Sequence, residues 1–191
     1  MEKLRMYAKE EKLYFLGIAE TWLHDTVENS EICIEGYSYR RDRAEIKSGR
    51  GGGVALYVRD TLSSFACLEL NKYHTESVWC KLMLQHKDEI VFGECYKRPN
   101  TDKLEINELF AAIKAATQKP VVIMGDFNYP SGNWETLETD TLGKEFLDFV
   151  NDCYLIQHIN TPTRDSSVLD LVFSSEDGMV ENLHVNPLTA K

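Results

Sequence analysis

Positive charge is scarce in this sequence. Of 191 residues, 21 are Lys or Arg against 31 Asp or Glu, a net charge of −10. A chain this acidic does not hold DNA or RNA by bulk charge, because such affinity comes from neutralising phosphates. It acts on phosphates only where a bound cation reverses the sign locally. Cysteine is sparse as well. Cys33, Cys67, Cys80, Cys95 and Cys153 are odd in number and no two stand in CxxC spacing. That excludes a disulfide framework and a cysteine zinc site, and points to a reducing compartment, nuclear or cytoplasmic. No apolar run approaches the roughly 18 residues of a membrane span. The opening Met1-Glu2-Lys3-Leu4-Arg5 has no apolar core of a secretory signal, so no membrane contact is expected. Internal repeats, linkers and low-complexity segments are also missing.

What remains is globular material. Hydrophobic residues make up 43% and charged residues 27%, which excludes a disordered tail, a collagen-like repeat or a coiled coil. The length fits a single domain over 1–191, and a domain of this size buries roughly 70% of its unfolded surface without staples.

The apolar patterning is mostly that of strands. Residues 1–11 place Leu4, Tyr7 and Ala8 on one helical face. Leu13–Ala19 is a nearly continuous apolar run, as in a strand covered on both sides. Strands are expected at 31–39, 54–59, 65–70 (weakly), 76–84 and 89–96. A helix follows Asp102, with Glu105 completing a capping-box pattern and Ile106, Leu109, Phe110 and Ile113 inward; Pro120 ends it. Val121–Met124 reads as a buried strand, 140–153 as a second helix with Leu142, Phe146, Phe149 and Val150 inward, and 155–159, 168–173 and 179–185 as closing strands. Many strands with two helices between them suggest two packed sheets with helices on their outer faces.

Three acids interrupt the core runs. Glu20 ends the first strand, Asp126 ends the 121–124 strand with Asn128 two residues on, and Asp170 sits inside Val168-Leu169-Asp170-Leu171-Val172. A lone buried carboxylate costs several kcal/mol unless it is paired or binds a metal. A shared site at one rim of the two sheets, holding a hard divalent cation, accounts for all three, and Mg²⁺ needs only one or two protein carboxylates beside its waters. Taken singly, each has a plainer explanation: a solvated strand end, an Asx turn in Gly125-Asp126-Phe127-Asn128, or an edge-strand position. Gly49–Gly53 is not a phosphate-binding P-loop, since no Gly-Lys-Ser/Thr follows and a strand comes next. Arg40, Arg41, Arg43, Lys47 and Arg50, diluted by Asp42 and Glu45, read as a solvated loop or as a local contact for a DNA backbone.

In order along the chain stand Glu20-Thr21-Trp22-Leu23, Gly51-Gly52-Gly53-Val54, Tyr96-Lys97-Arg98-Pro99, Gly125-Asp126-Phe127-Asn128, and Asn160-Thr161-Pro162-Thr163-Arg164 followed by Leu169-Asp170-Leu171. This ordered set resembles the endonuclease/exonuclease/phosphatase superfamily, nearest to the apurinic-like endonuclease domain of non-LTR retrotransposons of the Jockey and CR1 type. The resemblance implies an α+β, DNase-I-like four-layer α/β/β/α sandwich with two mixed sheets. It implies a Mg²⁺-dependent DNA endonuclease (Mn²⁺ being the alternative ion) that hydrolyses a phosphodiester by attack of activated water. It implies a monomer, with a reverse transcriptase domain in the full-length element. Glu20 would ligate the metal, Asp126 would orient or deprotonate the water, and Asn128 would donate to the scissile phosphate. Asp126 and Asn128, two apart in extended chain, would point the same way. Tyr96 would stand near the phosphate, Thr163 and Arg164 would contact substrate, and Asp170 would orient a catalytic histidine. That histidine follows Ser-Asp in the family, and His24, His74, His86, His158 and His184 do not match. The family's first strand, with its Asn, has no counterpart either. The expectation is therefore an incomplete domain of impaired activity, with Asp170 left as an unbalanced carboxylate in an apolar strand. Two other readings stay open: a catalytically degenerate remnant acting as a binding module, and a small-molecule phosphoesterase of the same superfamily.

Overall fold

The computed structural model describes residues 1–42, 51–74, 76–84, 88–134, 136 and 138–183. Helix α1 (Glu2–Glu11) leads into strand β1 (Phe15–Ala19), then a helical turn α2 (Asn29–Ile32), and strands β2 (Tyr37–Arg41) and β3 (Val54–Arg59). These strands form a sheet in the order β1-β3-β2, antiparallel throughout. Strand β4 (Ser64–Ala66), helical turn α3 (Leu68–Asn71), β5 (Ser77–Met83), β6 (Glu89–Tyr96), α4 (Lys103–Ala116), β7 (Val121–Asp126), α5 (Thr141–Asp152), β8 (Ile156–Gln157) and β9 (Asp170–Ser174) follow. Their strands form a mixed six-stranded sheet, β4-β5-β6-β7-β9-β8, in which β6 and β7 are parallel. A parallel pair needs a crossover, and α4 supplies it.

Three apolar clusters separate four layers. Ala8 of α1 packs with Ile34, Ala55 and Tyr57 on the outer face of the small sheet. Val54, Leu56 and Val58 of β3 meet Val78, Cys80, Leu82 and Tyr96 between the sheets. Trp79, Val91, Cys95, Val121 and Ile123 meet Leu109, Ile113, Phe146 and Val150 of α4 and α5 on the far side. The alternation of β3 is legible here: even-numbered residues face the other sheet and odd-numbered residues face α1. Asp102 caps α4 by accepting from the Glu105 N–H at 2.9 Å, and Asp140 caps α5 through Gly143. Cys67, Cys80 and Cys95 are buried free thiols, packed as small hydrophobes. Among the described residues no helix is long and apolar enough to cross a membrane.

The expected strand at 31–39 is replaced by α2 and the later β2. Glu28 and Glu31 form a reciprocal capping box that starts a helical turn, and Gly36, at φ 81°, turns the chain into β2. The weak strand at 65–70 shrinks to β4, because the chain turns into α3 and leaves Phe65 and Leu68 exposed. Residues 179–183 form no strand, and the rest of the strand expected at 179–185 lies outside the described residues. Arg40 and Arg41 belong to β2 rather than to a loop, with Arg40 donating to Ser64 Oγ and Arg41 to the His24 carbonyl. Arg43, Lys47, Arg50, His86 and His184 lie outside the described residues.

Candidate active site

The parallel β6–β7 pair brings two strand ends to the same edge of the large sheet, and β9 starts there. The register places Tyr96, Asp126 and Asp170 side by side across these strands. Glu76, just before β5, extends the row, since the Tyr96 N–H donates to its carbonyl at 2.8 Å. From the other sheet, Glu20 leaves β1 and its carboxylate accepts the Tyr96 hydroxyl at 3.0 Å. The exit is bent: Glu20 and Trp22 lie at φ 52° and 54°, held by Thr21 and Trp22 N–H groups donating to the Gly53 and Gly52 carbonyls. Left-handed backbone at non-glycine residues costs about 1 kcal/mol or more and persists only where the surroundings enforce it.

Phe127 and Tyr129 pin the segment after β7 by packing on Phe146 of α5, at 5.3 and 4.4 Å between ring centroids. Asn128 does not reach the site by strand alternation, as the spacing of two suggested. The strand ends at Asp126 and Asn128 sits at φ 49°. Its N–H donates to Asp126 Oδ1 at 3.1 Å, and its side-chain Nδ2 donates to the Lys97 carbonyl at 2.9 Å. The Lys97 N–H in turn donates to the Asp126 carbonyl. The Lys97 ammonium lies 4.4 Å from the centroid of the Tyr129 ring, and burial lowers its pKa. A two-residue spacing thus becomes a turn in which Asp126 holds the backbone of Asn128.

Thr163 is committed to its own loop. Its Oγ1 accepts the Leu169 and Asp170 N–H groups, each at 3.1 Å, tying the 163–167 turn to the start of β9. From this turn Arg164 reaches Asp126, with Nη2 3.6 Å from Oδ2. Glu20, Tyr96, Asp126, Asn128, Asp170 and Arg164 therefore meet at one rim.

Asp170 corrects an expectation. It is exposed at the first position of β9 and is not an orphan in the core. The burial penalty falls on its neighbours. Asp126 is 2% exposed, and its pKa is raised to about 6, first by burial and then by the Asp170 charge, against the opposing pull of Arg164. Glu94, one residue pair inward from Tyr96, is 3% exposed and shifted well upward by burial, then by Asp170 and Asp126. It lies over Gly17 of β1, where a Cβ would come within 2.0 Å of its carboxyl oxygen. Sequence reasoning missed Glu94, although it breaks Ile90-Val91-Phe92-Gly93 in the way that Asp170 breaks its own run. A raised folded pKa means that Glu94 destabilises the chain increasingly as pH climbs above its ordinary 4.5. Glu94→Gln should therefore raise the denaturation midpoint at neutral pH, with the gain vanishing near pH 4; a gain independent of pH would refute the electrostatic cause.

A second group was also missed. Buried Glu76 accepts the Gly53 N–H at 2.5 Å and pairs with Arg98, strapping the glycine segment to the Lys97-Arg98-Pro99 turn. Beside it His74 is buried, with its pKa lowered to about 4 by desolvation.

Among the described residues no three His, Cys, Asp or Glu side chains are gathered closely enough to cage a metal unaided. The donor set is leaner: the single exposed carboxylate of Glu20. That suits an ion which keeps most of its waters.

A family model described as endonuclease-reverse transcriptase matches residues 90–189. The structure is similar to the endonuclease domain of TRAS1, a telomere-specific non-LTR retrotransposon, at TM-score 0.70 and 19% identity, covering 92% of this chain and 79% of that one. It is also similar to the AP endonuclease LMAP from Leishmania major (TM-score 0.66, 15% identity, 90% and 72% covered). ANGEL2, a 2′,3′-cyclic phosphatase, follows at TM-score 0.55 and 16% identity, with 93% and 74% covered. No curated protein matches.

Proposed function

From the premise that the chain belongs to the endonuclease–reverse transcriptase family of the endonuclease/exonuclease/phosphatase superfamily, with the DNase-I-like fold, we propose that it is a Mg²⁺-dependent DNA endonuclease domain whose nick primes reverse transcription. The observation that carries this reading is the rim on which Glu20, Tyr96, Asp126 and Asp170 meet from both sheets.

Glu20 is the residue that would hold the ion. One oxygen accepts from Tyr96, so the carboxylate is aimed before any ligand arrives. Bound there, Mg²⁺ (or Mn²⁺) would neutralise phosphate charge and make water more acidic. Asp126 would take the proton. A carboxylate near pKa 6 is ionised at neutral pH yet more basic than an ordinary Asp, which suits a general base. Asp170 contributes by its charge, which helps to keep Asp126 basic. An amide NH₂ carries two hydrogens. Asn128 uses one on Lys97, and the other would serve a phosphate oxygen.

Incubation with supercoiled plasmid tests this reading. Open circles should form with Mg²⁺ and not with excess chelator. Tyr96→Phe should slow nicking roughly tenfold, since a hydrogen bond to a charged group contributes about 1.5 kcal/mol. If no Mg²⁺-dependent product exceeds that of an Asp126→Asn control, the enzymatic reading is wrong and the degenerate binding module stands. Turnover of a cyclic nucleotide phosphate without nicking would select the small-molecule alternative.

A further inference from the structure

The Arg164–Asp126 contact is built asymmetrically. The Arg164 side chain is 56% exposed and that of Asp126 is 3% exposed. At 3.6 Å the pair is an ion contact, too long for a good hydrogen bond. The base of the arginine is fixed. The Thr163 and Arg164 N–H groups both donate to the Ser167 carbonyl, the Ser167 N–H returns to the Arg164 carbonyl, and Thr163 Oγ1 ties the turn to β9. The head of the arginine is held by the carboxylate alone among the contacts of the described residues. The other Asp126 oxygen is engaged by Asn128. Around Asp126 stand the acids Glu20, Asp170 and Glu94, the Tyr96 hydroxyl and the Lys97 ammonium, and Lys97 is turned toward Tyr129 and the Asn128 and Arg98 carbonyls. Arg164 is thus the exposed cation that can leave.

We propose that Arg164 is stored on Asp126 in the free protein and leaves it for a phosphate of the nucleic-acid backbone, so that substrate binding uncovers the carboxylate that takes the proton. This deepens the endonuclease reading and rests on it. A guanidinium presents a planar fork that matches two phosphate oxygens, a better partner than one carboxylate oxygen at 3.6 Å. Departure of the nearest cation also makes Asp126 more basic, because an adjacent positive charge favours the ionised carboxyl. The overall acidity of the chain fits such a device. A free arginine beside a chain of net charge −10 would attract its own acids, whereas a stored one is released only by a stronger anion.

The test is a double-mutant cycle on binding, without chemistry. The affinity of a fluorescently labelled DNA duplex is measured in chelator for the parent chain, Arg164→Gln, Asp126→Asn and the double variant, with melting midpoints confirming that each is folded. Arg164→Gln should bind roughly fivefold more weakly, and Asp126→Asn roughly fivefold more tightly, the scale of one exposed charge contact. In the Arg164→Gln background, Asp126→Asn should bring no gain, because the arginine it would release is gone. If the gain persists there, Asp126 merely repels phosphate and the storage idea falls, while the endonuclease reading survives. Arg164→Lys, which keeps the charge without the fork, should fall between parent and Arg164→Gln, and Arg164→Ala, which removes the cation, carries the cycle if the glutamine variant does not fold. A parent chain that neither binds the duplex nor nicks plasmid overturns both the storage idea and the reading beneath it.

Discussion

Asp126→Asn should abolish most nicking and at the same time make the protein more stable at neutral pH. The loss expected for removing a general base is about 10²–10⁴-fold. The gain in stability follows from linkage. The Asp126 carboxyl sits at about 6 in the folded chain against an ordinary 3.8. The folded state therefore holds this proton more tightly than the unfolded one. Stability contributed by the site is intact below pH 4, declines as pH rises from about 4 to 6, and stays low above that. A shift of this size corresponds to about 2–3 kcal/mol. Asn cannot ionise and so escapes the penalty, and its Oδ1 can still accept the Asn128 N–H. Thermal midpoints at pH 7.5 and pH 4.5 check both halves: the variant should melt higher than the parent at pH 7.5, with the difference shrinking at pH 4.5. A variant that melts lower at pH 7.5 would mean that Arg164 and the Asn128 N–H outweigh burial, and that Asp126 is held as a stabilising ion.

Gly125→Ala should be severely destabilising. Gly125 lies at φ 150°, in register with Cys95 across the β6–β7 pair. A Cβ there would stand 1.8 Å from the Cys95 carbonyl oxygen, and the obstacle is backbone, which cannot rotate away. The two strands would have to separate at the point where one delivers Tyr96 and the other Asp126. A loss of about 3 kcal/mol or more is expected, together with loss of nicking in whatever fraction stays folded. Gly178→Ala is the control, since its φ of 76° is also unfavourable but nothing lies within 4 Å of the added carbon. It should cost about 1 kcal/mol. Chemical denaturation of the two variants side by side decides the matter, and equal midpoints would show that β6 and β7 do not approach as closely as described.

Much of this architecture is legible along the chain. Apolar runs at 13–19, 54–59, 89–96 and 121–124 mark strands whatever lies beside them, and Asp102 announces a helix because a cap acts within three residues. Glu20 and Asp126 stand out because an acid at the end of an apolar run is conspicuous in one dimension. The sequence by itself thus determined those four strands and the two long helices, and the rim as a place where acids gather, but not the short helical turns α2 and α3.

Which of those acids is buried was decided only by the tertiary structure. Asp170 and Glu94 look alike in sequence, each an acid within an apolar strand. Yet Asp170 opens a strand at the solvent edge, whereas Glu94 lies one residue pair deeper, beneath β1 and opposite the bare Gly17. Burial of a strand residue depends on what the facing sheet places above it, and the facing residue here is 77 positions away in the chain. Likewise Asn128 turns out of line because its amide finds the Lys97 carbonyl, and Arg164 reaches Asp126 because Thr163 anchors its turn to β9. Local sequence specifies which residues can form a strand, but the dielectric and the partners that set a carboxyl's charge come from neighbours that only folding brings near.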